Sequence, residues 1–169
     1  MESWWTSVEG RNLAQGDLLT DCNIPIFAGM EGDPVEEYVT SARLIVMTQS
    51  CDLENGKAKF VSLCPIHSII EFEDSNPNYK KPRAWEVVRK GNVAALYLLS
   101  SPSNPESNRD CMVVDFGQII SLPIEYLSNH AESLGNRYRL SSPYLEHFSQ
   151  AFARFFMRVG LPSVIAPFS

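Results

Sequence analysis

The chain has 169 residues, 44% of them apolar, and a formal net charge of −6 at pH 7. This is enough for one ordinary domain with a sizeable core, and we expect residues 1–169 to form a single domain. No run approaches 18 consecutive apolar residues, and the N-terminus lacks the basic region of a secretory signal, so we expect a cytoplasmic protein without membrane contact. The acidic balance argues against non-specific nucleic-acid binding over the whole surface.

The predicted elements from residue 15 onward are mostly short strands. A turn at 15–17 opens the first strand at 18–19, and residues 28–34 read as a polar loop. Long loops are expected at 73–83 and 100–109, residues 85–89 are ambiguous between strand and helix, and residues 123–127 suggest a helical turn. The further strands are expected over 35–47, 58–65, 93–99, 111–116 and 119–122.

Two of these strands are predicted to pair directly. Asn55-Gly56 lies between the apolar segments 43–50 and 58–65, and Asn-Gly is the strongest short-range hairpin signal. We therefore expect these segments to be adjacent antiparallel strands. Pro65 should end their ladder, because proline has no N–H to donate.

A C-terminal helix is the clearest single element. Ser142 can cap it, Pro143 suits its first position, and Gly160 should stop it. Its apolar residues recur at spacings of three and four, which predicts burial in the core or at a partner interface: Leu145, Phe148, Phe152, Phe155 and Val159. Six or seven short strands and one helix indicate a mainly β (α+β) fold, with a barrel over 1–135 and a helical extension over 136–169.

Polar and reactive side chains flank the two central strands. Arg43 precedes the apolar run 44–47, and His67 and Ser68 follow the strand that contains Pro65. Polar residues at the ends of these two strands are considered for substrate binding: Thr48, Gln49, Ser50 and Ser68. The thiol of Cys51 could act as a nucleophile if His67 lay within reach. An arginine can stabilise phosphate charge and a histidine can transfer protons at neutral pH.

Four segments resemble the MazF/PemK family of bacterial toxins over about half the chain. They are Gly-Asp-Leu-Leu at 16–19, Arg-Leu-Ile-Val-Met-Thr at 43–48, the strand ending Pro-Ile-His-Ser at 65–68, and the strand–Asp–Phe–Gly–Gln–Ile segment at 112–119. The resemblance implies an SH3-like β-barrel and a metal-independent endoribonuclease that needs no cofactor and acts on single-stranded RNA. By position it makes Arg43 and His67 catalytic, with His67 standing where the family has threonine and Leu44 where it has proline.

The sequence is also compatible with other interpretations. The chain could be a non-catalytic protein-interaction domain of a bacterial defence or toxin–antitoxin system, with a partner or a second copy bound through the barrel or the helix. Arg43 could simply pair with Glu36 or Glu37. A zinc site could use Cys51, Asp52, Cys64 and His67, although their spacing is not that of a zinc finger. An aromatic and basic patch could bind RNA or could be a solvated loop: Trp85 with Lys80, Lys81, Arg83, Arg89 and Lys90.

Overall fold

A computed structural model describes residues 3–28 and 36–157 of the chain. The described residues form eight strands and five α-helices, and the mainly β (α+β) class is confirmed. The strands are β1 (Trp5–Val8), β2 (Leu18–Ala28), β3 (Glu36–Val46), β4 (Phe60–Ser68), β5 (Leu96–Leu99), β6 (Met112–Asp115), β7 (Ile120–Pro123) and β8 (Arg137–Leu140). The helices are α1 (Ser50–Glu54), α2 (Ile69–Ser75), α3 (Pro82–Arg89), α4 (Ile124–Leu134) and α5 (Tyr144–Phe156).

All strand pairings in the described part of the chain are antiparallel. The main sheet has the order β2-β3-β4-β6-β5, with β7 paired to β4, and β1 and β8 form a separate two-stranded sheet. β2 and β5 lie at opposite ends of the order and are not paired with each other. The described sheet is therefore open, and a closed barrel is not observed.

The predicted pairing of β3 with β4 is confirmed, with Leu44 opposite Pro65 and Val46 opposite Leu63. The predicted tight hairpin turn and the strand through Ser50 are wrong, because α1 occupies Ser50–Glu54 of the connection. Asn55 follows the last residue of α1, and Gly56 has a φ of 63°. Asn-Gly also commonly ends helices, and here the dipeptide ends α1 instead of forming a two-residue hairpin turn.

Two helices overlap the predicted loop at 73–83: α2 runs into its start, and α3 begins at its end and covers the ambiguous segment 85–89. α2 begins with a capping box, in which the Ser68 side chain accepts from the Glu71 N–H and the Glu71 carboxylate accepts from the Ser68 N–H. α3 begins with Pro82 in its first turn, where a missing N–H costs no helical hydrogen bond. A Ser-x-x-Glu spacing and a proline were thus the local signals for these two helices.

The C-terminal helix packs its phenylalanine stripe against the main sheet. Phe148 is fully buried in a cluster that includes Ile45 and Leu140, and Phe152 and Phe155 are half-buried against the same cluster. The helix begins at Tyr144, and Ser142 makes no capping hydrogen bond. Val159 and Gly160 lie outside the described residues. The predicted burial is therefore confirmed fully for Phe148 and partly for Phe152 and Phe155.

Two further apolar clusters fill the remaining space. One contains Leu44, Leu63 and Leu127 and lies between the main sheet and α4. The other contains Phe72 and Val88 and lies between α2, α3 and the β5–β6 end of the sheet. No helix in the part of the chain that the structure describes is long and apolar enough to cross a membrane.

Candidate functional site

A cleft of about 330 Å³ opens where β3 and β4 separate. Their ladder ends at the Leu44–Pro65 pair, since proline has no N–H with which to extend it. Before Leu44, β3 pairs only with β2, and after Pro65, β4 pairs with β6. The separation of β3 from β4 therefore leaves a gap between two strands, each of which is paired on its other side. Its lining includes Asp21, Ala42, Arg43, Pro65, His67 and Glu71.

The β2–β3 ladder is irregular at the same level. Leu19 pairs with Leu44 and Cys22 with Ala42, so that Thr20 and Asp21 together face Arg43. This is a β-bulge, and Asp21 within it has a φ of 54°, in the left-handed region that non-glycine residues rarely adopt. Bulges and unusual backbone angles concentrate at functional sites. Two independent irregularities thus flank Arg43, one on each neighbouring strand.

Arg43 is held by a carboxylate, Glu71, that the sequence patterns did not single out. Its guanidinium forms an ion pair with Glu71, at the start of α2, across the gap between the strands. The same Glu71 oxygen accepts a hydrogen bond of 2.7 Å from the Ser68 N–H, and the Glu71 N–H donates to Ser68 Oγ at 3.2 Å. The capping box therefore fixes Glu71 in place, and Glu71 in turn orients Arg43.

His67 occupies the same cleft as Arg43 and Glu71. It is half-buried, and its ring lies 6.1 Å from the ring of Phe72. Burial lowers the pKa of His67, while the nearby carboxylates of Glu71 and Asp115 partly oppose that effect and Arg43 adds to it. The Ser68 backbone N–H likewise lowers the pKa of Glu71, because it hydrogen-bonds to the charged form.

Four predicted substrate-binding or nucleophilic residues lie elsewhere. Antiparallel pairing places the end of β3 beside the start of β4, whereas His67 is near the end of β4. Thr48 Oγ1 accepts from the Ser62 N–H at 2.8 Å, and Ser62 is five residues before His67, or roughly 16 Å along a strand. Ser50, Gln49 and Cys51 continue away from Thr48 into α1. The structure therefore brings Arg43 and His67 together but not this second group.

Hydrogen bonds indicate local roles for these polar residues. Ser50 Oγ accepts from the Gln15 N–H at 3.1 Å, and the Cys51 thiol lies 3.7 Å from the Gln49 side-chain oxygen. Ser68, next to His67, uses its hydroxyl as the cap of α2. Cys51 therefore has Gln49, rather than His67, as its neighbour, and the suggested Cys51–His67 pair is not formed.

The suggested zinc ligands are not assembled either. No group of three histidine, cysteine or carboxylate residues among those described is placed to hold a metal ion. Cys64 is buried in the core, and burial raises the pKa of its thiol to about 12. A thiol with that pKa stays protonated at neutral pH. All four cysteines are free thiols.

Three of the six residues in the aromatic and basic patch around Trp85 make internal contacts. Trp85 Nε1 donates to Glu73 Oε1 at 2.9 Å, and its ring packs edge-on against Phe72 at 5.7 Å. Lys80 pairs with Asp74, and Arg89 pairs with Glu86. Trp85 is half-buried, so only part of its ring is accessible for stacking with a base.

Comparison with known proteins finds no family model that matches the chain, and no curated protein that matches it. In the cleft, arginine, histidine and glutamate converge on one space large enough for a nucleotide-sized group. Arg43 carries a permanent positive charge, and His67 can carry a proton and has a pKa below its usual value. Glu71 is an ionised carboxylate at neutral pH.

Proposed function

We propose that the protein is a metal-independent endoribonuclease or RNA-processing protein, related to MazF/PemK toxins and of bacterial or phage origin. The observation that carries the proposal is the position of Arg43 and His67, which come from different strands and line one open cleft. An SH3-like relationship and a cytoplasmic location belong to the same proposal. The order of the four family-like segments along the chain supports it.

The cleft contains the groups that RNA cleavage without metal requires. The 2′-hydroxyl of a nucleotide attacks the adjacent phosphorus, the new O2′–P bond forms, and the P–O5′ bond breaks. Glu71 takes the 2′-hydroxyl proton as general base, and His67 gives a proton to the departing 5′-oxygen as general acid. Arg43 stabilises the charge that grows on the phosphate oxygens. The products are a 2′,3′-cyclic phosphate and a free 5′-hydroxyl.

Substrate binding has to compete with the Arg43–Glu71 ion pair. The cleft is lined by one permanent cation, Arg43, and by the carboxylates Asp21 and Glu71. Protonation of His67 adds a second positive charge and balances these carboxylates. A phosphate that displaces Glu71 from Arg43 also leaves that carboxylate available to accept a proton. The charge pattern therefore favours RNA binding when His67 is protonated.

The test is cleavage of a mixed single-stranded RNA pool in the presence of a metal chelator. Arg43→Ala and His67→Ala should each lower the rate by about 10²–10⁴-fold, while the melting temperature stays near the wild-type value. Arg11→Ala and His147→Ala are matched controls, since both residues are exposed and neither lines this cleft. If the wild-type protein cleaves no RNA in the pool, the ribonuclease proposal fails.

Glu71→Gln examines the general base without removing the helix cap. Glutamine at this position can still complete a capping box, so α2 should remain folded. We expect the cleavage rate to fall at least about 10²-fold, because the amide cannot accept the 2′-hydroxyl proton. Glu125→Gln, on the exposed face of α4, should cleave like the wild type. Full activity of Glu71→Gln would remove Glu71 from the mechanism.

A further inference from the structure

Asp21 is a carboxylate of the Arg43–His67 cleft that has no role in the cleavage steps. It is exposed in the lining of the cleft and makes no hydrogen bond or ion pair with any residue that the structure describes. Glu71, the other carboxylate of the lining, is already bonded to Arg43 and Ser68. Asp21 therefore presents two acceptor oxygens to whatever occupies the cleft.

The backbone around Asp21 is anchored on both sides. His130 Nε2 lies 2.7 Å from the Thr20 carbonyl oxygen, and this nitrogen must carry the proton because a carbonyl oxygen can only accept. Tyr126 Oη accepts from the Asn23 N–H at 2.9 Å and donates to the Asn23 C=O at 3.0 Å. Both side chains come from α4, so one helix holds the bulge before and after Asp21.

These anchors make the strained backbone of Asp21 a fixed feature of the cleft. A φ of 54° costs free energy for a residue with a Cβ, and such a conformation persists only where the surrounding contacts impose it. Cys22, the next residue, is 0% exposed and fixes the chain in the core. The bulge therefore restricts the position of the carboxylate, as a preorganised binding group requires.

The ligand of Asp21 must carry hydrogen-bond donors. RNA phosphates repel a carboxylate, so an RNA in the cleft can contact Asp21 favourably only through base edges or 2′-hydroxyls. Guanine alone among the four bases has two adjacent donors, N1–H and N2–H, on its Watson–Crick edge. Adenine, cytosine and uracil each place an acceptor beside their donor, and that acceptor would face the second carboxylate oxygen. The acceptors of Asp21 therefore match guanine best.

We propose that Asp21 selects a guanine base next to the phosphate that Arg43 binds, a specificity that rests on the proposed function. Strand order supports this placement, since Asp21 lies on β2, Arg43 on β3 and His67 on β4. Neighbouring strands lie about 4.8 Å apart, so the backbones at Asp21 and His67 are separated by roughly 10 Å or more. The base and the phosphate of one nucleotide can therefore occupy the two ends of the cleft.

The test uses fluorescein-labelled RNA nonamers with uridine at every position except the fifth, which is guanosine, inosine, adenosine, cytidine or uridine. A 2′-O-methyl group on each ribose prevents cleavage, so fluorescence anisotropy measures binding alone. Inosine keeps the N1–H of guanine but lacks the 2-amino group. Wild-type protein should bind the guanosine nonamer about tenfold more tightly than each of the other four.

Asp21→Asn changes the hydrogen-bonding pattern without changing the backbone, because asparagine also adopts a positive φ. Its amide offers one acceptor and one donor, so the preference should pass from guanosine to adenosine and cytidine, whose edges supply the matching donor and acceptor. Asp110→Asn is the matched control. It removes the same charge from an exposed site outside the cleft and should keep the wild-type order of affinities.

Equal affinity of the wild-type protein for all five nonamers overturns the assignment, and so does the absence of binding. A guanosine preference that survives in Asp21→Asn overturns it as well. The wild-type order of affinities tests the proposal even if the variant does not fold. Nonamers without the methyl groups separate this result from the ribonuclease test: guanosine-dependent binding without cleavage contradicts cleavage alone, whereas cleavage that ignores the fifth base contradicts the role of Asp21 alone.

Discussion

Asp17 is a completely buried charge that ties the segment before β2 to β8. Its carboxylate accepts from Arg137 Nε at 3.0 Å and from Arg139 Nη2 at 3.0 Å, both on β8. The two arginines in turn donate to the backbone oxygens of Gly10 and Asn12. The guanidinium groups of Arg137 and Arg139 are thus used in internal contacts.

We predict that Asp17→Asn lowers the free energy of unfolding by about 3–5 kcal/mol, because it leaves the buried Arg137 without its counter-charge. Urea denaturation of the variant and the wild type measures the difference. The exposed pair Arg11–Glu125 supplies the control, and Glu125→Gln should change stability by less than about 1 kcal/mol. A loss as small as that of the control would show that Asp17 is not a structural charge.

His67 sets the expected pH dependence of cleavage. A general acid must carry its proton, and burial has moved the pKa of His67 below its ordinary value of 6.5. A general base must have lost its proton, and the pKa of Glu71 lies below 4.5. We therefore predict a bell-shaped profile of kcat/KM with its maximum at acidic pH and a decline before neutrality.

The control for this prediction is the profile of kcat. A bound phosphate stabilises protonated His67, so the basic limb of kcat should lie at higher pH than that of kcat/KM. His67→Ala should remove the basic limb from whatever activity remains. Cleavage that rises steadily through neutral pH would contradict the assignment of His67 as the acid.

At the level of elements, α5 depends on Phe148 more than on the rest of its stripe. Phe148 is 0% exposed and meets the rings of Tyr97 and Phe116 at centroid distances of 5.4 and 5.6 Å. Phe148→Ala should lower the free energy of unfolding by about 3–5 kcal/mol, and Phe152→Ala by less, because Phe152 is only half-buried. Thermal or urea denaturation measures both. An equal loss from the two variants would place Phe152 as deep in the core as Phe148.

For the whole molecule, the C-terminal helix and the sheet should unfold together. Leu140 and Phe148 belong to the same buried cluster as Trp5 and Ile45, so the region after residue 136 does not have a core of its own among the described residues. We predict that far-UV and near-UV circular dichroism follow one coincident transition on heating. Two separated transitions would show that the helical extension 136–169 folds independently of the remainder.

Local patterns determined the elements of this protein that could be predicted. The apolar runs before and after residues 55–56 identified β3 and β4 and their antiparallel pairing, and the spacing of phenylalanines identified α5. Each of these signals lies within a few residues of the element it describes. The capping residues of α2 were equally local, and the Ser68-x-x-Glu71 spacing would have identified both that helix and Glu71.

Only the tertiary structure decided which polar residues meet. Strand direction separates Thr48 from His67, although both follow apolar runs, because antiparallel strands place their ends at opposite sides. The split at Pro65 and the bulge at Asp21 bring Arg43 to Glu71, and the strand order leaves β5 as an edge. Register and strand order arise from contacts between distant parts of the chain, which the spacing of residues within one segment does not encode.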